Sequence, residues 1–502
     1  MAWLYLIVLT PDGSYAWSGL PLDDNWIHLV YARSLVQQGW FNYNPGVAEA
    51  GMSSPFWVIL LALGYASLTP LGATPQWIAK GMSLGLAMAV PILAYFLVLR
   101  LGLKRRWAWL AGLLVIFDPN LCFGNVSGME VPFATLLILL AILLLLRKSY
   151  GICGLVLGAL VVTRAEGVPI AIMIALLPLL QEYSRRTSIT LIRMGEFRIG
   201  VSLLLPPLLT GGAWALFNYS VNGQFLPNTY YVKHYFAAGL FNAENLAAIL
   251  SGYQFHLPLF QGILLPFTLL FAVAAGVFLF RRKQYIPLLL LVGIPLIQLY
   301  LFSINFKVWS DGPWIYYVRR YMDFLQPFWM ILVTVGLAGL WDQASRARSR
   351  IIFLTIPALT IGYFLIVAYQ ATGLHQRFIA DYVQDTKRVE TVDVAIGRWV
   401  AENLPDHSTI GITEAGALRY FARPDQTIID FLGLNCHVCA GQPPDYIMNI
   451  LQPEYLAFFR PALRDTFRYE LIYSMNTYPD ARGSELYVVK VESLPPWPPL
   501  QP

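Results

Sequence analysis

The sequence predicts a polytopic α-helical membrane protein that carries a small extracytoplasmic α/β domain at its C-terminal end. Three observations predict it. Of 502 residues, 57% are hydrophobic and only 13% are charged, against about 45–50% and about 25% in soluble domains. Uncharged runs at 131–146, 257–280, 284–306 and 351–374 approach or exceed the roughly 20 residues that a helix needs to cross about 30 Å of hydrocarbon. Basic residues, behind a net charge of +5, gather in short clusters: Lys104 to Arg106; Arg147 and Lys148; Arg185, Arg186, Arg193 and Arg198; Arg281 to Lys283; and Arg346, Arg348 and Arg350. The positive-inside rule places all of these in the cytoplasm, which sets the topology.

In order, AWLYLIVLT at 2–10 is apolar but too short to cross, and without a basic head region it does not read as a cleaved signal peptide. Either the first helix begins upstream of Met1 or it is distorted. A helix at 76–100 enters the cytoplasm, so 11–75 lie outside, and PFWVILLALGYASLT at 55–69 is expected to rest at the interface rather than span. Helix 107–123 then exits, SGME at 127–130 turns outside, and 131–146 returns. Segments 150–163 and 167–181 make a second hairpin, 199–218 exits, 257–280 and 284–303 make a third hairpin, 324–341 enters and 351–370 leaves. With the short first segment this gives about eleven transmembrane helices in a domain covering 1–374. Charges return over 375–502, where STIGIT (408–413), QTIIDF (426–431) and ELYVVKV (485–491) read as strands and 385–403 and 415–422 as helices. A proline-rich LPPWPPLQP follows.

The longest cytoplasmic loop, about 182–198, has no room for a nucleotide-binding domain, and no Walker-type glycine loop occurs, which argues against an ATP-driven pump. Cys122 and Cys153 read as core residues of membrane helices. Cys436 and Cys439, in CHVC, form either a disulfide or half of a metal site. No metal or cofactor is implied.

Charged groups beside hydrocarbon are costly and mark functional sites. On the outer side they are Asp23, Asp24, His28 and Arg33 in the first loop; Glu130; Arg164 and Glu166 in TRAEG; Lys233 and His234; and Lys307, Asp311, Arg319, Arg320 and Asp323 before helix 324–341. Carboxylates and cations converging on one surface suit an anionic, lipid-linked substrate. Asp24 and His28 share a helix face. Asp23 reads either as a helix cap, with Asp24 favouring the positive end of the dipole, or the pair supplies a catalytic base. Moving a sugar from a polyprenyl phosphate to a hydroxyl needs one carboxylate to take the acceptor's proton, while cations neutralise the departing phosphate. Arginine suits that phosphate because its fork binds two oxygens at once.

Seven motifs stand in order from about residue 19 to 435: PLDDNWIHLVYARSL, NYNPGVAEAGMSSPFW, SGMEVPF, TRAEG, NGQFLPNTYYVK, RRYMDFLQPF, and TEAGALRYF with IIDFLGLN. In these the chain resembles the GT-C glycosyltransferases, and among them the group of the mycobacterial terminal arabinofuranosyltransferase that uses decaprenyl-phosphoryl-arabinose. The resemblance implies a GT-C fold with juxtamembrane helices in the first outer loop, a polyprenyl-phosphate sugar as donor, inversion, and a base in the acidic pair, Asp23 or Asp24. It further implies donor phosphate or sugar contacts from Glu130, Arg164, Glu166, Asn228, Lys233, Arg319 and Arg320, and His28 and Arg33 in the first loop are expected to bind substrate beside them. GMSSP replaces the threonine-serine-proline more usual in relatives, and the soluble domain is shorter, so donor sugar and acceptor are not carried over. The expectation is a cell-envelope glycosyltransferase in a bacterial plasma membrane, its active site extracytoplasmic, acting on a glycan, lipid or protein hydroxyl. The alternatives are a non-catalytic membrane subunit and a transporter of lipid-linked sugars; the latter expects broken helices in matching halves.

Overall fold

A computed structural model describes residues 1–6, 13–184, 194–235, 243–305, 316–346, 350–459, 468–475 and 486–493. The chain divides into two compact units. One comprises Met1–Val8, Lys80–Ala213 and Ala237–Asp381; the other comprises Leu9–Ala79, Trp214–Phe236 and Tyr382–Pro502.

Long runs of leucine, isoleucine and alanine make helices, because in lipid every backbone N–H and C=O has to be satisfied within its own segment. Among the described residues seven helices are long and apolar enough to cross a membrane: Pro75–Arg100, Gly167–Ser184, Met194–Asn222, Leu264–Arg281, Tyr285–Ser303, Arg319–Arg346 and Pro357–Asn403. The chain is a multi-pass membrane protein. The segment expected to span at 107–123 is instead a pair, Arg105–Ile116 and Pro119–Val126, bent by 59°. Pro119 causes the break: its ring excludes the helical conformation from the residue before it. Asp118 there takes an extended conformation and restarts the helix by accepting a hydrogen bond from the Leu121 N–H at 2.9 Å. Segments 131–146 and 150–163 are helical as expected but short, at Val131–Leu146 and Tyr150–Val161, of 16 and 12 residues. Among the described residues, length and composition support seven spans, or eight with the bent pair counted as one, beside the expected total of about eleven.

Within the first unit, helix Tyr150–Val161 approaches helix Met194–Asn222 closely through Gly154 and Gly158. A Cβ on Gly154 would overlap the Ser202 carbonyl, and the Thr210 hydroxyl donates to the Gly158 carbonyl at 2.9 Å. Small residues four apart allow backbones to touch where lipid supplies no hydrophobic drive between helices. Helix Gln326–Arg346 is buried along most of its length, with Gly336 against the Phe271 backbone.

In the second unit, helix Asp24–Gln38 ends at Gly39, whose φ of 71° is the left-handed value that favours glycine at a helix end. A hairpin of β1 (Asn42–Asn44) and β2 (Val47–Ala48) follows, then helix Pro55–Leu68, which at 14 residues is too short to cross. The remaining strands are β3 (Thr409–Ile412), β4 (Thr427–Asp430), β5 (Tyr455–Phe459), β6 (Arg468–Met475) and β7 (Leu486–Ser493), in the order β4-β3-β5-β7-β6. β3 runs parallel to β4 and β5, whereas β7 is antiparallel to β5 and β6. Helix Ala417–Phe421 makes the crossover from β3 to β4. Ile429, Phe431, Ile447, Met448, Leu456, Phe458 and Val489 form the core on one face. The expected strands at 408–413, 426–431 and 485–491 and helices at 385–403 and 415–422 are all present, and the small α/β domain is found. The first of those helices is part of a continuous rod in which Val389–Val394 takes π form.

Candidate functional site

Each unit holds a buried polar cluster containing expected residues. In the second unit, Asp23 occupies the N-cap position of helix Asp24–Gln38, yet makes no side-chain cap there. Its two oxygens accept instead from the backbone N–H groups of Gly416 and Ala417, each at 2.7 Å. The capping reading of Asp23 is thereby corrected: the carboxylate satisfies the entry to helix Ala417–Phe421 rather than its own. Position 416 has to be glycine, because a Cβ would strike the Asp23 carbonyl and carboxylate. Burial first, then the charge of Glu414, pushes the Asp23 carboxyl up to about 7 against the opposing pull of the two N–H donors, and Asp24 adds to the rise.

Asp24 lies half-buried in the first turn of the helix, and His28, one turn on, is buried. Arg33 donates to the Tyr420 carbonyl at 2.8 Å and stacks over its ring at 4.1 Å. Tyr31 donates from its hydroxyl to Asn435 Oδ1 at 3.0 Å and accepts from the Gly51 N–H at 3.2 Å. Asn435 in turn donates from its backbone and amide to Asp430 at 2.8 and 3.0 Å. Asn44 exchanges two hydrogen bonds with the Ile428 backbone, both 2.9 Å. Asn44 thus ties the hairpin to β4, and Tyr31 ties helix Asp24–Gln38 through Asn435 to the end of the same strand at Asp430.

Asn228 is fully buried; its Nδ2 donates to Glu49 Oε2 at 3.1 Å and its N–H to the Ala50 carbonyl at 3.1 Å. The other Glu49 oxygen pairs with His437 Nδ1 at 2.9 Å. Cys436 and Cys439, on either side of this histidine, are joined by a disulfide, so the half metal site falls away. Glu49 and His437 were not among the expected residues. The only signal was that a lone glutamate sits in the small-residue run GVAEAG.

In the first unit, Glu130, Arg164 and Glu166 come together. Arg164 Nη1 meets Glu130 at 2.9 Å and Nη2 meets Glu166 at 3.1 Å, with Arg164 and Glu130 almost wholly buried. The Arg164 guanidinium also faces the rings of Tyr321 and Phe324 at 5.3 and 5.6 Å. Arg320 is buried near the Met129 sulfur at 3.9 Å and the Tyr321 hydroxyl at 3.4 Å. Arg319, equally buried, lies on the Phe378 ring at 3.6 Å and within the electrostatic reach of Asp118, Asp323 and Asp381. Burial, then the positive charges of Arg319 and Arg377, lowers His256 to about 3, so its imidazole is neutral. Lys307 and Asp311 lie outside the described residues, as do the side chains of Lys233 and His234. No group of three or more histidine, cysteine or acidic side chains suited to a metal occurs among the described residues.

No curated protein matches the chain in sequence. Residues 378–489 match a family described as a domain of unknown function (DUF8728). Solved structures match in fold over nearly the whole chain. ArnT from Cupriavidus metallidurans bound to undecaprenyl phosphate is 16% identical at a TM-score of 0.57, with 94% of each chain covered. The Archaeoglobus fulgidus oligosaccharyltransferase in apo form is 12% identical at 0.57, covering 91% of this chain and 67% of that one. The archaeal oligosaccharyltransferase AglB in complex with an inhibitory peptide and a dolichol-phosphate is 12% identical at 0.55, with the same coverage. The chain thus shares the GT-C fold of these structures.

Proposed function

We propose that this protein is an integral membrane glycosyltransferase that moves a sugar from a polyprenyl-phosphate donor to a hydroxyl of a glycan, lipid or protein. The reaction takes place on the outer face of a bacterial plasma membrane and inverts the anomeric centre. Asp24 is the base. It takes the acceptor's proton as the acceptor oxygen bonds to the anomeric carbon, and the bond from that carbon to the phosphate oxygen breaks, releasing the polyprenyl phosphate.

One observation supports choosing Asp24. Both oxygens of Asp23 are committed to the backbone N–H groups of Gly416 and Ala417, so of the acidic pair it is Asp24, in the first turn above His28, that is assigned the proton. The fold shared with ArnT bound to undecaprenyl phosphate supports the donor class. The test supplies radiolabelled polyprenyl-phosphate sugars to membranes holding the parent protein. Transfer of label from any such donor is the expected result, and its absence from all of them contradicts the assignment.

A further inference from the structure

Four side chains from three distant segments of the second unit form one line. Asn222 Nδ2 donates to Asn228 Oδ1 at 2.5 Å, Asn228 Nδ2 donates to Glu49 Oε2 at 3.1 Å, and Glu49 Oε1 meets His437 Nδ1 at 2.9 Å. Asn228 is fully buried and Glu49 is 5% exposed, whereas the His437 side chain is 40% exposed. The order is that of a carboxylate aiming an imidazole: with Glu49 ionised and His437 neutral, Glu49 accepts from Nδ1–H and the lone pair lies on Nε2. Nε2 has no hydrogen-bond partner among the described residues. The loop that carries His437 is doubly pinned, by the Cys436–Cys439 disulfide across it and by Asn435 on Asp430 and Tyr31. A merely solvated histidine needs none of this support, while one that binds a ligand in a fixed direction does.

We propose that His437, oriented by Glu49 and Asn228, is a binding subsite for a sugar hydroxyl, which donates its hydrogen to Nε2. A neutral imidazole lone pair accepts from O–H and repels the oxygens of a phosphate. The choice of a sugar as the hydroxyl bearer rests on the glycosyltransferase reading above. Two sources share that chemistry, the sugar of the donor and a glycan acceptor.

The test uses the full-length protein in lipid nanodiscs with histidine labelled at both ring nitrogens. The chain has 6 histidines, and His437→Gln identifies the resonance. D-arabinose, D-mannose and inorganic phosphate are added separately. The proposal expects at least one sugar to shift the His437 Nε2 signal, phosphate to leave it in place, and Glu49→Gln to weaken the sugar response. No shift with either sugar, or an equal shift with phosphate, overturns it. In a transfer assay, His437→Ala is expected to raise KM about three- to tenfold, the loss of one neutral hydrogen bond, for the donor or for the acceptor but not both; unchanged KM for both contradicts the proposal. The nanodisc readout needs no turnover. A protein whose His437 responds to sugar but which transfers from no donor therefore defeats the glycosyltransferase reading and leaves the subsite standing.

Discussion

Asp23 Oδ1 accepts a hydrogen bond from the backbone N–H of Ala417 at 2.7 Å, across 394 residues of sequence. With its partner bond from Gly416, this ties the start of helix Asp24–Gln38 to the β3–β4 crossover. An asparagine at 23 has one carbonyl oxygen for two N–H donors, and its amide nitrogen would face one of them. Asp23→Asn is therefore expected to destabilise the second unit by about 1–3 kcal/mol, read as a lower midpoint of thermal unfolding in detergent. An unchanged midpoint contradicts the tie.

The same carboxyl gives a pH dependence. Its value of about 7 in the folded protein lies above the ordinary 3.8, so the folded state holds this proton more tightly than the unfolded chain. The stabilisation is complete below pH about 4 and is lost as pH rises through about 7. Asp430, whose carboxyl burial raises to about 6, is present in parent and variant alike and cancels in their difference. Parent minus Asp23→Asn stability should thus fall between pH about 4 and about 7 and be flat on either side. A difference independent of pH, or rising with it, would count against the burial argument.

Arg164 lies between Glu130 and Glu166 with almost no exposure. Removing one member of a buried ion pair leaves an uncompensated charge and costs about 3–5 kcal/mol, more than replacing both members by neutral side chains. Arg164→Met should lower thermal stability sharply, and adding Glu130→Gln should restore part of the loss. If the double variant is as unstable as the sum of its single variants, the two residues do not act as a pair.

Closing the short loop between Cys436 and Cys439 removes unfolded-chain entropy worth about 2 kcal/mol in the chain-entropy model. Replacing both cysteines with serine should lower the unfolding midpoint modestly and make the protein indifferent to dithiothreitol, which lowers the parent's. A parent whose midpoint ignores the reductant has no such disulfide to lose.

The helical membrane fold was legible because hydrocarbon imposes one demand on every spanning segment, and runs such as 264–281 and 285–303 meet it in plain view. Lengths were less legible. The run 131–146 reads as a span on hydropathy, but its helix stops where Lys148 turns to a φ of 60°. At 107–123 the local rule for proline was available and the apolar run masked it. β5 was missed because Tyr455, Leu456, Ala457 and Phe458 are all buried and show no alternation, and β6 because its exposed pattern resembles loop sequence. Among the polar residues, the local pair Arg164 and Glu166 could be read from TRAEG, since its members are two apart. Glu49 and His437 are 388 apart, and only the folded chain brings that carboxylate to its imidazole. The role of Asp23 was hidden in the same way, because its partners are backbone groups, which every residue type offers.

The central claim is that Asp24 takes the acceptor's proton. The most direct measurement compares initial rates of sugar transfer from a radiolabelled polyprenyl-phosphate donor by the parent, Asp23→Asn and Asp24→Asn in proteoliposomes, each normalised to folded protein. The account predicts a loss of about 10²–10⁴-fold for Asp24→Asn, the usual worth of a general base, and a far smaller loss for Asp23→Asn. Transfer by Asp24→Asn at the parent's rate would contradict it.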